Sequence, residues 1–272
     1  MRKISLSALL LVICLLASCG QGQHARTIGP VSYKVDSPEV TYISDREADI
    51  VIRRDDRKID GKLYLPEGEG PYPLMIMSTG LYALYGEYEH KAKMYAERGF
   101  AALVFNFVSN ADANSDALIK DQDLIGLLRS QVTDLSAVLD SIGEIKQFDR
   151  SRVFLWGHSY GGLVSCYVGC RRQDEIKGLI LVEPSLDRQP EQLIPGDKDT
   201  AVNIGKDLAQ CEVNTLIFVG SQSSYGKDPD CYAEILAVLQ HGQLIRVEGA
   251  DHLFGGRYGD LIVERSCEMI TS

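Results

Sequence analysis

Hydrophobic residues fall along the chain in three patterns. Residues 4–16 form an apolar run broken only by two serines. It is shorter than the roughly 20 residues a membrane-spanning helix needs. Residues 40–53 and then 58–65 alternate loosely between apolar and polar, which predicts two antiparallel strands. From residue 74 onward the pattern changes to short continuous apolar runs, at 74–78, 100–108, 153–156, 178–182, 216–219 and 244–247. Such runs are expected of strands covered on both faces. Between them lie segments with helical spacing: 87–98, 123–145, 161–170, 230–240 and a last one starting near 258. In the 123–145 segment the apolar positions 124, 125, 127, 128, 132, 135, 138, 139 and 142 follow a period close to 3.6. The alternation predicts an α/β fold: a doubly wound, mostly parallel sheet of about eight strands, with helices on both faces and an antiparallel edge. A turn-rich connector, 66–73, precedes the first buried strand, and 186–210 is polar and loosely helical. No domain boundary interrupts 36–272.

The amino-terminal run carries an address. Met1-Arg2-Lys3 is a basic n-region and 4–16 an h-region, the layout of a secretory signal over residues 1–18. The segment Leu16-Ala17-Ser18-Cys19 resembles the lipobox of bacterial lipoproteins. That resemblance implies cleavage before Cys19, lipidation of Cys19, and a protein exported and anchored to the bacterial cell envelope, with 19–35 as a tether. The 272 residues carry 28 Lys and Arg against 38 Asp and Glu, a net charge of −10. Loss of Arg2 and Lys3 leaves 26 − 38 = −12. This balance excludes the basic footprint of a nucleic-acid binder. It also makes charge-driven adhesion to anionic lipid unfavourable, so membrane residence is expected to rest on Cys19. Cys166, Cys170, Cys211, Cys231 and Cys267 remain in the mature chain, an odd number that leaves at least one unpaired within a monomer. Their spacing fits no zinc site. Cys166 and Cys170, four apart on a helix, read as buried small hydrophobes.

The chemistry concentrates in Gly157-His158-Ser159-Tyr160-Gly161-Gly162, which follows the apolar run 153–156 and opens a helix. G-x-S-x-G between a buried strand and a helix is a nucleophile elbow. A sharp turn lifts the serine hydroxyl above the sheet, and small residues two positions to either side let strand and helix approach. On these residues the chain resembles the α/β-hydrolase fold family. The stretch Lys58-Ile59-Asp60-Gly61-Lys62-Leu63-Tyr64-Leu65-Pro66 with Gly70-Pro71-Tyr72-Pro73 is similar to the dienelactone hydrolase and cinnamoyl-esterase-like branch. The resemblance implies a serine nucleophile, an acid and a histidine base in that chain order. Ser159 is the expected nucleophile. His252, in Gly249-Ala250-Asp251-His252 after the run 244–247, is the expected base. His24, His90 and His241 are remote from such a role, and in an ordinary elbow His158 points away from the reacting carbonyl.

The acid departs from the family pattern. The loop after 216–219 reads Gly220-Ser221-Gln222-Ser223-Ser224-Tyr225, without a carboxylate where one is usual. Two alternatives stay open: Glu183, ending its strand directly before Pro184, and Asp228 further along the loop, with Asp187 and Asp230 behind them. The oxyanion donors are expected to be the backbone N–H groups of Tyr160 and of Leu81, after Gly80. Tyr82, Tyr85 and Tyr88 crowd that loop, either as a wall of the substrate pocket or as tyrosines packing a lid. Relatives insert a cap near 186–210; about 25 residues there imply a small one. The aspartates of 112–123 lack calcium-loop spacing and read as a solvated loop.

These residues point to a serine hydrolase that cleaves a small-molecule carboxylic ester through an acyl-enzyme on Ser159. The same groups would serve a thioesterase or a peptidase, and a missing acid would leave an inactive binding lipoprotein. No metal or organic cofactor is implied, and the sequence sets no oligomeric state.

Overall fold

The computed structural model describes residues 32–111, 124–186 and 208–271. The export signal, Cys19, the tether as far as residue 31, the aspartates of 112–123, Asp187 and most of 186–210 lie outside those residues.

The strands are β1 (Glu39–Ser44), β2 (Glu47–Arg54), β3 (Arg57–Tyr64), β4 (Tyr72–Ser78), β5 (Ala101–Phe105), β6 (Phe148–His158), β7 (Gly178–Val182), β8 (Asn214–Gly220) and β9 (Gly242–Val247). The helices are α1 (Glu89–Glu97), α2 (Val108–Ala111), α3 (Leu124–Ser141), α4 (Tyr160–Arg171), α5 (Ala233–Val238) and α6 (Arg257–Thr271). All strands join one nine-stranded sheet in the order β1-β2-β3-β5-β4-β6-β7-β8-β9. β1, β2 and β3 form the antiparallel edge, and the strands from β5 to β9 run parallel.

The sheet has one strand more than the pattern predicts, because residues 40–53 are two strands and not one. Ser44-Asp45-Arg46 interrupts the alternation, and the Ser44 hydroxyl accepts the Arg46 N–H at 3.3 Å to close the turn. β5 is shorter than expected and stops at Phe105. Beyond it the chain turns: Asn106 donates its N–H to Asp60 O at 2.8 Å, and Val108 opens α2 with its N–H on Asp134 Oδ2 at 3.0 Å.

The continuous apolar runs are explained by burial on both faces. In β4, Leu74 and Ile76 face one core while Met75 and Met77 face the other. β6 repeats this with Val153 and Leu155 on one side and Phe154 and Trp156 on the other. The larger core lies under α3 and α4, the smaller under α1 and α6. Each aliphatic side chain fully removed from water contributes about 1.5–3 kcal/mol, so the doubly covered strands form the rigid part of the molecule. The five cysteines are free thiols, four of them buried.

The order also fixes where a ligand can bind. β4 is followed by α1 and then β5 on one side, whereas β6 is followed by α4 and then β7 on the other. Chain direction therefore diverges between β4 and β6. A crevice opens above the carboxyl ends of neighbouring parallel strands at such a switch point, here beside Ser78 and His158.

Candidate active site

β6 ends at His158 and α4 begins at Tyr160, so Ser159 alone makes the turn. Its φ of 54° and ψ of −120° are unfavourable for a residue with a side chain. The turn is held by backbone bonds at 2.9 Å on either side, Ser159 N–H to Val182 O and Ser185 N–H to Ser159 O. The tightness explains two glycines. A Cβ at Gly157 would overlap the carbonyl of Gly161, and a Cβ at Gly161 would overlap the carbonyls of Ser78 and Thr79. α4 thus starts against the end of β4, with Tyr160, its first residue, next to Ser159. N–H groups in a helix's first turn lack intrahelical acceptors and favour negative charge.

The structure brings His252 and Glu183 together. His252 Nδ1 lies 2.5 Å from Glu183 Oε2. The other oxygen, Oε1, accepts the Gly220 N–H at 2.7 Å. Glu183 is fully buried and its backbone is strained, with φ of 42°. The turn starts where β7 ends: Glu183 N–H still bonds Phe218 O at 2.8 Å, and the chain then swings away at Pro184. A carboxylate on Nδ1 fixes the imidazole tautomer and leaves Nε2 as the basic nitrogen. Asp228 is not at His252. Its Oδ1 accepts the Asp230 N–H at 3.0 Å, and its own N–H bonds Tyr225 O, so it closes a turn within the loop after β8. Asp230 belongs to the same turn.

The remaining histidines divide clearly. His90 is exposed and pairs with Asp260 at 3.1 Å, and His241 is exposed. His158 is buried, with both ring nitrogens bonded: Nε2 lies 2.8 Å from the carbonyl oxygen of His252 and Nδ1 lies 2.8 Å from the Tyr88 hydroxyl. Burial lowers its pKa from 6.5 to about 4, so the ring is neutral at pH 7.

Gly80 and Leu81 follow β4 as expected. A Cβ at Gly80 would stand 3.6 Å from Ser159 Cβ, which puts this loop alongside the serine. Two asparagines hold the loop. Asn110 Nδ2 donates to Gly80 O at 2.9 Å and to Ala83 O at 3.0 Å, and Asn106 Oδ1 accepts the Tyr85 N–H at 2.7 Å. Tyr82 adopts φ of 61° within this loop. Tyr88 is neither pocket wall nor exposed lid packing: it is buried, and its hydroxyl also accepts the Gly80 N–H at 3.1 Å. Sequence reasoning missed Asn106, Asn110 and also Tyr225, whose ring stacks on His252 at 6.1 Å. Among the described residues no group of side chains is arranged to hold a metal ion.

A strained serine between strand and helix, a histidine after the last strand and a buried carboxylate on that histidine define an α/β-hydrolase-fold enzyme. The chain belongs to the family described as serine aminopeptidase S33, whose profile matches residues 71–215. It is 26% identical over 127 residues to the esterase FrsA of Escherichia fergusonii, a match that covers 46% of this chain and 28% of that protein. The chain therefore spans little more than a quarter of the length of such curated relatives. Among solved structures, Est1E from Butyrivibrio proteoclasticus is similar with a TM-score of 0.65 at 17% identity, over 82% of this chain and 99% of that one. A dienelactone hydrolase from Anabaena variabilis gives 0.64 at 17% identity, over 87% and 98%. At these identities the structural likeness speaks for the fold.

Proposed function

We propose that this protein hydrolyses carboxylic esters through an acyl-enzyme on Ser159. The observation that carries the reading is the buried Glu183 carboxylate 2.5 Å from His252 Nδ1, on the loop whose carbonyl is bonded to the residue before Ser159. His252 Nε2 takes the Ser159 proton as the hydroxyl attacks the ester carbonyl. The tetrahedral oxyanion is held by the N–H groups of Leu81 and Tyr160. Collapse expels the alcohol, which receives the proton from His252. Water, deprotonated by the same nitrogen, then releases the acid and restores Ser159. Glu183 holds the ring through Nδ1 and stabilises the imidazolium.

Ester is favoured over thioester or amide because the FrsA relatives are esterases. The family description makes aminoacyl amides the second substrate class to compare. The inactive binding alternative rested on a missing acid, and Glu183 supplies one. We further read residues 1–18 as the export signal and Cys19 as the lipidated residue that holds the 36–272 domain at the cell envelope. The chemical reading is tested with a fluorophosphonate probe. It should label wild-type protein on Ser159 and leave Ser159→Ala unlabelled; a folded wild-type protein that resists labelling contradicts it.

A further inference from the structure

A continuous hydrogen-bond chain runs behind Ser159 from one half of the site to the other. Gly80 N–H donates to the Tyr88 hydroxyl oxygen at 3.1 Å. The Tyr88 hydroxyl and His158 Nδ1 are 2.8 Å apart, and His158 Nε2 and the His252 carbonyl oxygen are 2.8 Å apart. The directions are set by elimination. A carbonyl oxygen only accepts, so His158 Nε2 carries the proton. The ring is neutral because its burial disfavours the charged form, so Nδ1 is a bare acceptor and the tyrosine hydroxyl must donate to it. The phenolic oxygen is then left to accept from Gly80, which it does. Every link is satisfied in one sense only.

The two ends of this chain matter more than its middle. Gly80 directly precedes Leu81, the N–H donor assigned to the oxyanion, and His252 is the base. The spacing leaves little slack. A Cβ at Gly80 would sit 3.2 Å from the Tyr88 hydroxyl, 3.4 Å from His158 Nδ1 and 3.6 Å from Ser159 Cβ. Tyr88 itself is wedged in the core, edge-on to Trp156 at 5.7 Å, so its hydroxyl is presented from a fixed ring.

We propose that Tyr88, acting through the tautomer of His158, is a positioning residue that locks the oxyanion loop to the base loop. Neither side chain touches the substrate. Their common task is to keep the Leu81 N–H and the His252 ring in register across the serine, which matters most when charge develops in the transition state. The inference rests on the ester-hydrolase reading for its functional consequence but not for its structural premise.

Two measurements test it. In wild-type protein, 15N NMR should find His158 as the neutral Nε2–H tautomer from pH 6 to 8; an Nδ1–H tautomer overturns the proposal whatever the enzyme does. Tyr88→Phe removes only the hydroxyl. It should lower kcat by roughly 10- to 100-fold, weaken a trifluoromethyl ketone that forms a tetrahedral adduct by the same factor, and leave KM within about twofold. If ketone affinity and KM move together, Tyr88 merely holds the fold and the proposal fails. His158→Asn keeps an acceptor for Tyr88 but removes the donor to His252. Combined with Tyr88→Phe its effect should be far from additive, since both cut one chain; additive losses overturn the proposal. Failure of the ester-hydrolase reading is distinct: it appears as Ser159→Ala retaining activity.

Discussion

Glu183 uses both carboxylate oxygens, one on His252 Nδ1 and one on the Gly220 N–H. Glu183→Gln keeps the shape but can present an amide N–H to Nδ1, which selects the wrong tautomer. A fall in kcat of about 10³–10⁴-fold is expected, with KM little changed. Asp228→Asn should stay within about threefold of wild type, because its carboxylate serves a local turn. Steady-state kinetics on one short-chain ester checks both. Sequence alone left these two residues open, since each sits at a chain position some hydrolases use. The choice is made by the register that carries β7 and β8 together to Phe218, and register is not written in either loop. His158 adds a pH effect. Its folded-state pKa, about 4, is below the unfolded 6.5, so the unfolded chain binds the extra proton. The corresponding stability, up to roughly 3 kcal/mol, is fully present above pH 6.5 and is lost as pH falls towards 4. Urea unfolding at pH 7 and pH 5 should show this decline, and His158→Asn should flatten it.

At the level of elements, the loop after β4 is built by the loop after β5. Asn110, on the single turn of α2, bonds the carbonyls of Gly80 and Ala83, and α2 is itself tied to α3 through Val108 N–H and Asp134. Asp134 in turn pairs with Arg54 of β2 at 2.5 Å. Asn110→Ala should cost about 1–3 kcal/mol by removing its two bonds to the carbonyls of Gly80 and Ala83. It should also lower kcat more than it raises KM, because the loop carries Leu81, the proposed oxyanion donor. Denaturant unfolding beside kinetics separates the two effects. The elbow was legible because strand, turn and helix are neighbours in sequence and the glycines report the close approach. Asn106 and Asn110 were not, because each acts on a partner more than 20 residues away and nothing local marks an asparagine that reaches across. The edge was misread for the opposite reason: a two-residue turn at Asp45-Arg46 hides inside an alternating pattern when no glycine or proline punctuates it.

Taken whole, the molecule joins a rigid parallel sheet to an amino-terminal segment of different character. Strand order alone places the crevice between β4 and β6, and Ser159 and Gly80 both stand at its rim. The doubly covered runs made this architecture readable from hydrophobicity. With the proposed cleavage before Cys19 the chain carries 26 − 38 = −12, a charge that anionic membranes do not attract. Membrane residence should therefore depend on one residue: Cys19→Ala is expected to move the protein from the detergent-phase fraction to the aqueous fraction without altering kcat. Recovery of that variant in the membrane fraction would contradict the anchoring proposal. The central claim is that Ser159 becomes acylated. Its most direct test is rapid acid quench of a short-chain ester reaction, followed by peptide mass mapping. One acyl group is expected on the peptide containing Ser159, formed within the first turnover and absent in Ser159→Ala. Ester turnover with no adduct on that peptide, or with undiminished rate in Ser159→Ala, would contradict it.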